Sequence, residues 1–220
     1  MFPLKDDIPS SRVPIVNFLL ITVNVLVFLF ELSLGSHVQL LIADYGIVPA
    51  RSPDVFSAFP TLFTSMFLHG GWGHLFGNML YLWIFGDNVE DRLGHVPYLL
   101  FYLACGAAAG IAHILTNAGS QVPTVGASGA IAGVLGAYLV LFPGARVLTL
   151  LPIFPVTTTY IPAVFFLGIW FVMQVFSGAL QWGISQPTSG VAFLAHVGGF
   201  ITGALFGLLA RGFGREPTRA

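Results

Sequence analysis

The chain has 220 residues, of which 56% are apolar and only 17 carry a charge, 8 Lys or Arg and 9 Asp or Glu. Soluble domains are roughly a quarter charged, so this chain cannot cover a globule with a solvated surface. The net charge of −1 provides no basic field for nucleic acid, and no nucleic-acid partner is expected. The single cysteine, Cys105, excludes a disulfide framework and a Cys-based zinc site. The composition indicates an integral membrane protein.

Charge-free stretches divide the chain into membrane-length segments. Residues 93–145 and 147–210 contain no Lys, Arg, Asp or Glu, whereas a helix needs about 20 residues to cross the hydrocarbon. Gly, Pro, Asn and Gln clusters mark where helices stop within these stretches. We predict an all-α bundle in a single domain, 1–220. Its six spans lie at about 15–34, 73–91, 96–116, 127–142, 160–179 and 191–211.

Two further apolar segments are too short to span. Residues 55–68 end at a Gly-Gly pair, and residues 147–156 contain two prolines. Both are predicted to be interfacial or partly re-entrant. The first apolar segment is predicted to be a retained span rather than a cleaved signal peptide, because its core is long and no small-x-small cleavage site follows.

The basic residues predict the orientation of the bundle. Six alternating spans place both termini and the inner turns on one side, which then holds Lys5, Arg12, Arg92, Arg146, Arg211, Arg215 and Arg219. The other side holds only Arg51. Because basic residues favour the cytoplasmic side, both termini are predicted to be cytoplasmic.

Costly polar side chains begin the second, fourth and sixth spans. His74 and Asn78 lie four apart on one face of the second span, Ser128 opens the fourth, and His196 lies near the start of the sixth. These three spans all run inward from the outer face, so their starts share one depth. Polar groups inside the membrane are functional hypotheses by default. This convergence predicts a site near the outer face.

Small residues predict how two of these helices meet. His196, Gly199, Gly203 and Gly207 form one stripe, and Ser128, Ala132 and Gly136 form another, with Gly129 and Gly133 beside it. Such stripes let membrane helices approach closely. Close packing of the fourth and sixth spans would bring Ser128 and His196 within hydrogen-bonding distance.

A serine beside an imidazole indicates nucleophilic catalysis. His196 can take the proton of Ser128 as general base. Asn78, His74 and the Ser128 backbone N–H can stabilise an oxyanion. No acid lies in the fourth or sixth span or in the short loops before them, which favours a Ser–His dyad over a triad. No cofactor and no metal are expected, although a histidine-only metal site from His69, His74 and His196 is an alternative.

These residues resemble the motifs of the rhomboid family of intramembrane serine proteases over essentially the whole chain. The matching motifs are His69-Gly70 with His74-x-x-x-Asn78, Glu90-Asp91-Arg92, Gly126-x-Ser128-Gly129 and Ala195-His196-x-x-Gly199-x-x-x-Gly203. The resemblance implies a water-filled active site open to the outer face, with Ser128 as nucleophile, His196 as base, and His74, Asn78 and the Ser128 amide as the oxyanion hole. It also implies a lateral gate at the fifth span and a cap at about 180–190.

Two positions depart from the family's pattern. Some members carry an aromatic residue four after the nucleophile, against the imidazole, where this chain has Ala132. The sequence therefore does not predict what orients His196. A Trp-Arg pair often present in the first outer loop is Ala50-Arg51 here, which leaves the anchoring of that loop open.

Three functions follow from these residues. The first is an endopeptidase cutting transmembrane protein substrates within the bilayer, in the plasma membrane of a bacterial or archaeal cell; its substrate-binding residues are not predicted. The second is a catalytically silent scaffold that binds transmembrane segments. The third is a small transporter or channel lined by the same polar groups.

Overall fold

The computed structural model describes residues 1–52, 55–152, 156–181 and 192–213. Eight helices lie in these ranges: α1 Ile15–Ser33, α2 Val38–Tyr45, α3 Val55–Thr64, α4 Trp72–Leu93, α5 His95–Thr116, α6 Ser128–Leu141, α7 Ala163–Gln181 and α8 Phe193–Phe213. Six of them coincide with the six predicted spans, with ends that differ by at most three residues. The predicted cap, from residue 182, the predicted start of the last span at 191, and Arg215 and Arg219 lie outside the described residues.

Four helices in the described part of the chain are long and apolar enough to cross a membrane, namely α1, α5, α7 and α8. The helix α4 is less apolar because it contains His74, Asn78, Asp87 and Asn88, and α6 has only 14 residues. Of the six helices at predicted spans, the two that miss the criteria are thus those that contain three of the four predicted site residues.

A three-stranded antiparallel sheet corrects the all-α prediction. Its strands are β1 Phe2–Asp6, β2 Arg146–Leu151 and β3 Thr157–Pro162, in the order β1-β2-β3. In the register, Val147 pairs with Asp6 on one side and with Ile161 on the other. The described part of the segment 147–156, predicted to be interfacial or re-entrant, therefore lies mainly in strand β2. The protein is predominantly, not wholly, helical.

Glu90 joins α4 to the start of α1. Its buried carboxylate accepts hydrogen bonds from the backbone N–H groups of Val16 at 2.9 Å and Asn17 at 2.7 Å. The first N–H groups of a helix lack intrahelical partners and carry a partial positive charge, so a carboxylate there is stabilising. The Asn17 side chain in turn accepts a bond from Tyr98 of α5. One polar cluster thus ties three helices together at the end of the bundle opposite Ser128.

The loop after α2, predicted to be the first outer loop, is anchored by backbone pairing. Ile47, which follows α2, forms an isolated antiparallel bridge with Thr124, in the loop before α6. The backbone N–H of Ala50 donates to the Ser120 carbonyl at 2.9 Å, and Arg51 donates to the Ala43 carbonyl at 3.1 Å. The loop that lacks a Trp-Arg pair is therefore held against the α5–α6 connection by main-chain contacts. The other short apolar segment, 55–68, contains α3 and a single 3-10 turn.

Candidate active site

Glycines set the distance between α6 and α8. A Cβ at Gly203 would clash with the Gly133 carbonyl, a Cβ at Gly199 with the Gly129 carbonyl, and a Cβ at Gly136 with the Phe200 carbonyl. The two backbones are therefore in direct contact. The α8 stripe packs as predicted. Its partners on α6 are Gly129 and Gly133, which lie beside the predicted α6 stripe, and Gly136 of that stripe contacts Phe200.

Close packing brings Ser128 and His196 together. Ser128 is the first residue of α6, and His196 lies in the first turn of α8. The Ser128 hydroxyl oxygen lies 2.7 Å from His196 Nε2, which is hydrogen-bonding distance. The sequence placed both residues at the outer ends of neighbouring helices, and the two side chains are in contact.

A third helix provides the partner of the other imidazole nitrogen. His196 Nδ1 lies 2.8 Å from Gln174 Oε1 of α7, and the Trp170 ring packs beside the imidazole with centroids 6.0 Å apart. An amide oxygen can only accept, so Nδ1 carries the hydrogen and Nε2 has a lone pair for the Ser128 hydroxyl. The sequence reasoning missed both Gln174 and Trp170. Gln174 had a usable signal, since it is a polar side chain within an apolar predicted span.

His74 and Asn78 project from the first two turns of α4. A Cβ at Gly126 would lie 2.6 Å from His74 Nε2 and 3.6 Å from Asn78 Nδ2, so both side chains reach the turn before Ser128. Gly126 has φ +126°, a conformation that disfavours other residues. The loop before Ser128 therefore passes directly over the two side chains predicted to be oxyanion donors.

His69 holds Asn78 from the other side. Asn78 Nδ2 donates to His69 Nε2 at 3.0 Å, which uses one of its two hydrogens. The backbone N–H of His69 donates to the buried carboxylate of Glu31 at 3.1 Å. Glu31 lies in the last turn of α1. Its observed contact is with the His69 backbone.

A cavity of about 540 Å³ lies between these helices. Its wall includes all four predicted site residues, Ser128, His196, His74 and Asn78, together with Trp170. Within the described residues, no three His, Cys, Asp or Glu side chains are grouped as metal ligands. The arrangement presents a hydroxyl, an imidazole and several N–H donors to one cavity, which are the groups that acyl transfer needs.

The fold and the site define a polytopic helical membrane protein with a serine–histidine pair in the wall of a cavity between its helices. The family model described as "Rhomboid domain" matches residues 57–213, which is more than half of the chain. The chain belongs to the rhomboid family.

Named relatives come from yeast, bacteria and plants. The chain is 32% identical over 150 residues to Rhomboid protein 1, mitochondrial, of Saccharomyces cerevisiae, covering 65% of this chain and 39% of that protein. It is 37% identical over 127 residues to Rhomboid protease GluP of Bacillus subtilis, covering 57% and 24%. It is 32% identical over 148 residues to RHOMBOID-like protein 6, mitochondrial, of Arabidopsis thaliana, covering 67% and 42%. The matched regions span less than half the length of each relative.

Proposed function

We propose that this protein is an intramembrane serine endopeptidase that cleaves membrane proteins in or near their transmembrane segments. The observation that carries the proposal is the 2.7 Å contact between Ser128 and His196 at the wall of a cavity that also holds His74 and Asn78. The name of the relative GluP, a rhomboid protease, supports it. Membrane-protein substrates follow from membership of a membrane-embedded family.

The proposed reaction has two halves. Ser128 Oγ attacks the scissile carbonyl carbon while its proton passes to His196 Nε2. His196 then donates that proton to the leaving amine nitrogen as the C–N bond breaks, leaving an acyl-serine. A water molecule gives its proton to His196 and attacks the acyl carbon. The proton returns to Ser128 Oγ when the carboxyl product leaves, so the base ends each cycle neutral.

Oxyanion stabilisation is assigned to three donors. The backbone N–H of Ser128 stands at the first residue of α6, where amides lack intrahelical partners. Asn78 Nδ2 has a second hydrogen beyond the one on His69, and the His74 ring lies beside Gly126. Each such donor typically contributes roughly 3–4 kcal/mol to transition-state stabilisation.

The membrane layout belongs to the same proposal. We propose six spans formed by α1, α4, α5, α6, α7 and α8, with both termini cytoplasmic and residues 1–220 as one domain. The site then opens toward the outer face. A transmembrane substrate must unwind to expose its peptide bond, so helix-breaking or small residues near that face favour cleavage. The proposed location is the plasma membrane of a bacterial or archaeal cell.

Reconstituted protein tests the proposal directly. Wild-type protein in liposomes should cleave a transmembrane substrate and become labelled at Ser128 by a serine-reactive phosphonate. Ser128→Ala and His196→Ala should abolish cleavage while leaving a folded bundle, because each removes a group that the covalent step requires. Ser33→Ala and His37→Ala, at exposed positions outside the site, are matched controls and should retain full activity.

Three results would contradict the proposal. A wild-type protein that neither cleaves nor becomes labelled would point to a scaffold that binds transmembrane segments. Uptake or conductance that survives Ser128→Ala, without any adduct, would point to a transporter. Inhibition by EDTA that zinc reverses would point to a metal site formed by His69, His74 and His196.

A further inference from the structure

The catalytic imidazole is held by α7. Four residues after Ser128 the chain has Ala132, whose methyl group can neither stack on an imidazole nor accept a hydrogen bond. His196 instead contacts two side chains of α7, through the 2.8 Å bond to Gln174 and the ring packing with Trp170. The contacts that orient the base thus come from a helix other than those that carry the nucleophile and the base.

The direction of the hydrogen bond between His196 and Gln174 determines the tautomer of the imidazole. With Nδ1–H donated to Oε1, the imidazole is the tautomer whose Nε2 accepts the Ser128 proton. Without an acceptor at Nδ1, the hydrogen can move to Nε2, and an Nε2–H cannot take a proton from serine. In a serine triad an acid performs this task. Here a neutral amide lies at that position.

We infer that Gln174 is the positioning residue that fixes the tautomer and ring orientation of His196, in place of the acid of a triad. The inference rests on the proposed function. The ionisable groups that face His196 are the imidazoles of His74 on α4 and His113 on α5. Among the described residues, the hydrogen-bond partners of the His196 side chain are a hydroxyl and an amide.

The same contact links the position of α7 to the base. The Phe171 ring stacks on Phe200 of α8 at 4.4 Å between centroids, and Gly178 allows close contact with Leu194. These apolar contacts hold α7 against α8 on both sides of Gln174. A movement of α7 away from α8 would remove the Nδ1 acceptor, so we expect the base to be competent only while α7 is docked.

Substitutions at Gln174 distinguish orientation from packing. Gln174→Leu and Gln174→Met remove the acceptor and replace the amide side chain with an apolar one of similar size. Both should lower kcat roughly tenfold or more with little change in KM, because one hydrogen bond to the base is lost. Gln174→Glu keeps an acceptor and adds a charge that favours the imidazolium. It should retain activity and move the acidic limb of the pH–rate profile upward by about one pH unit. Met173→Leu, at the exposed neighbouring position, should change neither kcat nor the profile.

A second readout does not depend on cleavage. In protein labelled with ¹⁵N-histidine, the His196 signal, identified by its loss in His196→Gln, should show the hydrogen on Nδ1. In Gln174→Leu that population should fall in favour of Nε2–H. Wild-type kcat and tautomer in Gln174→Leu and Gln174→Met would overturn the inference. An inactive wild-type enzyme would contradict the proposed function instead, and the tautomer measurement would still decide the role of Gln174.

Discussion

Two hydroxyl–imidazole pairs in the cavity wall differ in the direction of their hydrogen bonds. His113 Nε2 lies 2.7 Å from the Thr124 hydroxyl, the same distance that joins His196 to Ser128. However, Asn117 Nδ2 donates to His113 Nδ1, which leaves the hydrogen on Nε2, where it is donated to Thr124. His113 therefore cannot take a proton from Thr124. The residue that is hydrogen-bonded to Nδ1 therefore determines whether Nε2 of a histidine can accept a proton.

Asn78 offers a test at the scale of one side chain. Asn78→Ala should lower kcat by roughly 10²- to 10³-fold, less than the loss of Ser128 or His196, because one of three proposed oxyanion donors disappears. Steady-state kinetics in liposomes measures the change. Asn88→Ala is the matched control, since Asn88 is a buried asparagine at the far end of the same helix, bonded to the Ile8 carbonyl. Full turnover in Asn78→Ala would remove this residue from the oxyanion hole.

At the scale of helices, the site exists because α6 and α8 touch along their backbones. Gly199 and Gly203 face the carbonyl groups of Gly129 and Gly133, so the spacing of the two axes is limited by main-chain atoms. Small residues permit such an approach without a hydrophobic driving force between the helices. The distance between Ser128 and His196 is therefore a property of the helix pair.

Gly203→Ala should separate the helix pair. The added methyl group would overlap the Gly133 carbonyl, and relief by moving backbone costs about 1–3 kcal/mol of stability. We expect lower thermal stability and at least tenfold lower turnover, measured on the fraction that remains folded. Gly212→Ala lies in the same helix with open space around it and should behave like wild type. Equal stability and turnover in both variants would contradict the close-packed interface.

Asp6 of strand β1, at the end of the bundle opposite Ser128, makes the stability of the fold depend on pH. Burial raises the pKa of Asp6 from 3.8 to about 6, although the Tyr138 hydroxyl donates to its carboxylate and opposes the rise. A folded-state pKa above the unfolded value means that the folded state binds the proton more tightly. The contribution of Asp6 to stability is therefore largest below pH 3.8 and is lost as the pH rises through about 6.

Asp6→Asn keeps an acceptor for Tyr138 and removes the titration. Thermal unfolding of wild type and variant between pH 4 and 8 should show wild type losing stability relative to the variant as the pH rises from about 4 to about 6. Asp44→Asn, at an exposed position, should retain the wild-type dependence. Parallel curves for wild type and Asp6→Asn would show that this carboxylate is not the titrating group.

At the scale of the whole molecule, the proposed orientation in the bilayer can be tested by labelling. With Cys105→Ala as background, single cysteines at exposed positions report the side. Ser36→Cys and Gln121→Cys should react with an impermeant maleimide on intact cells, and Thr158→Cys should react only after permeabilisation. The expected pattern follows from six spans with an excess of basic residues inside. Labelling of Thr158→Cys on intact cells would contradict the proposed orientation.

The sequence by itself determined the positions of the six long helices and the residues that meet in the cavity. Apolar length and the cost of polar groups in hydrocarbon are local properties that can be read along the chain. It did not predict the sheet, because the pairing of β1 with β2 joins residues about 140 apart, and apolar strands resemble apolar helix ends in composition.

The tertiary structure alone decided which side chains hold His196. Gln174, Ser128 and His196 belong to three different helices, and their contacts depend on the rotation of each helix about its axis. That rotation follows from the glycine contacts between α6 and α8 and the aromatic packing between α7 and α8, which are pairwise fits absent from any single segment. A sequence shows that a polar residue is costly where it lies, but only the packed bundle shows which partner satisfies it.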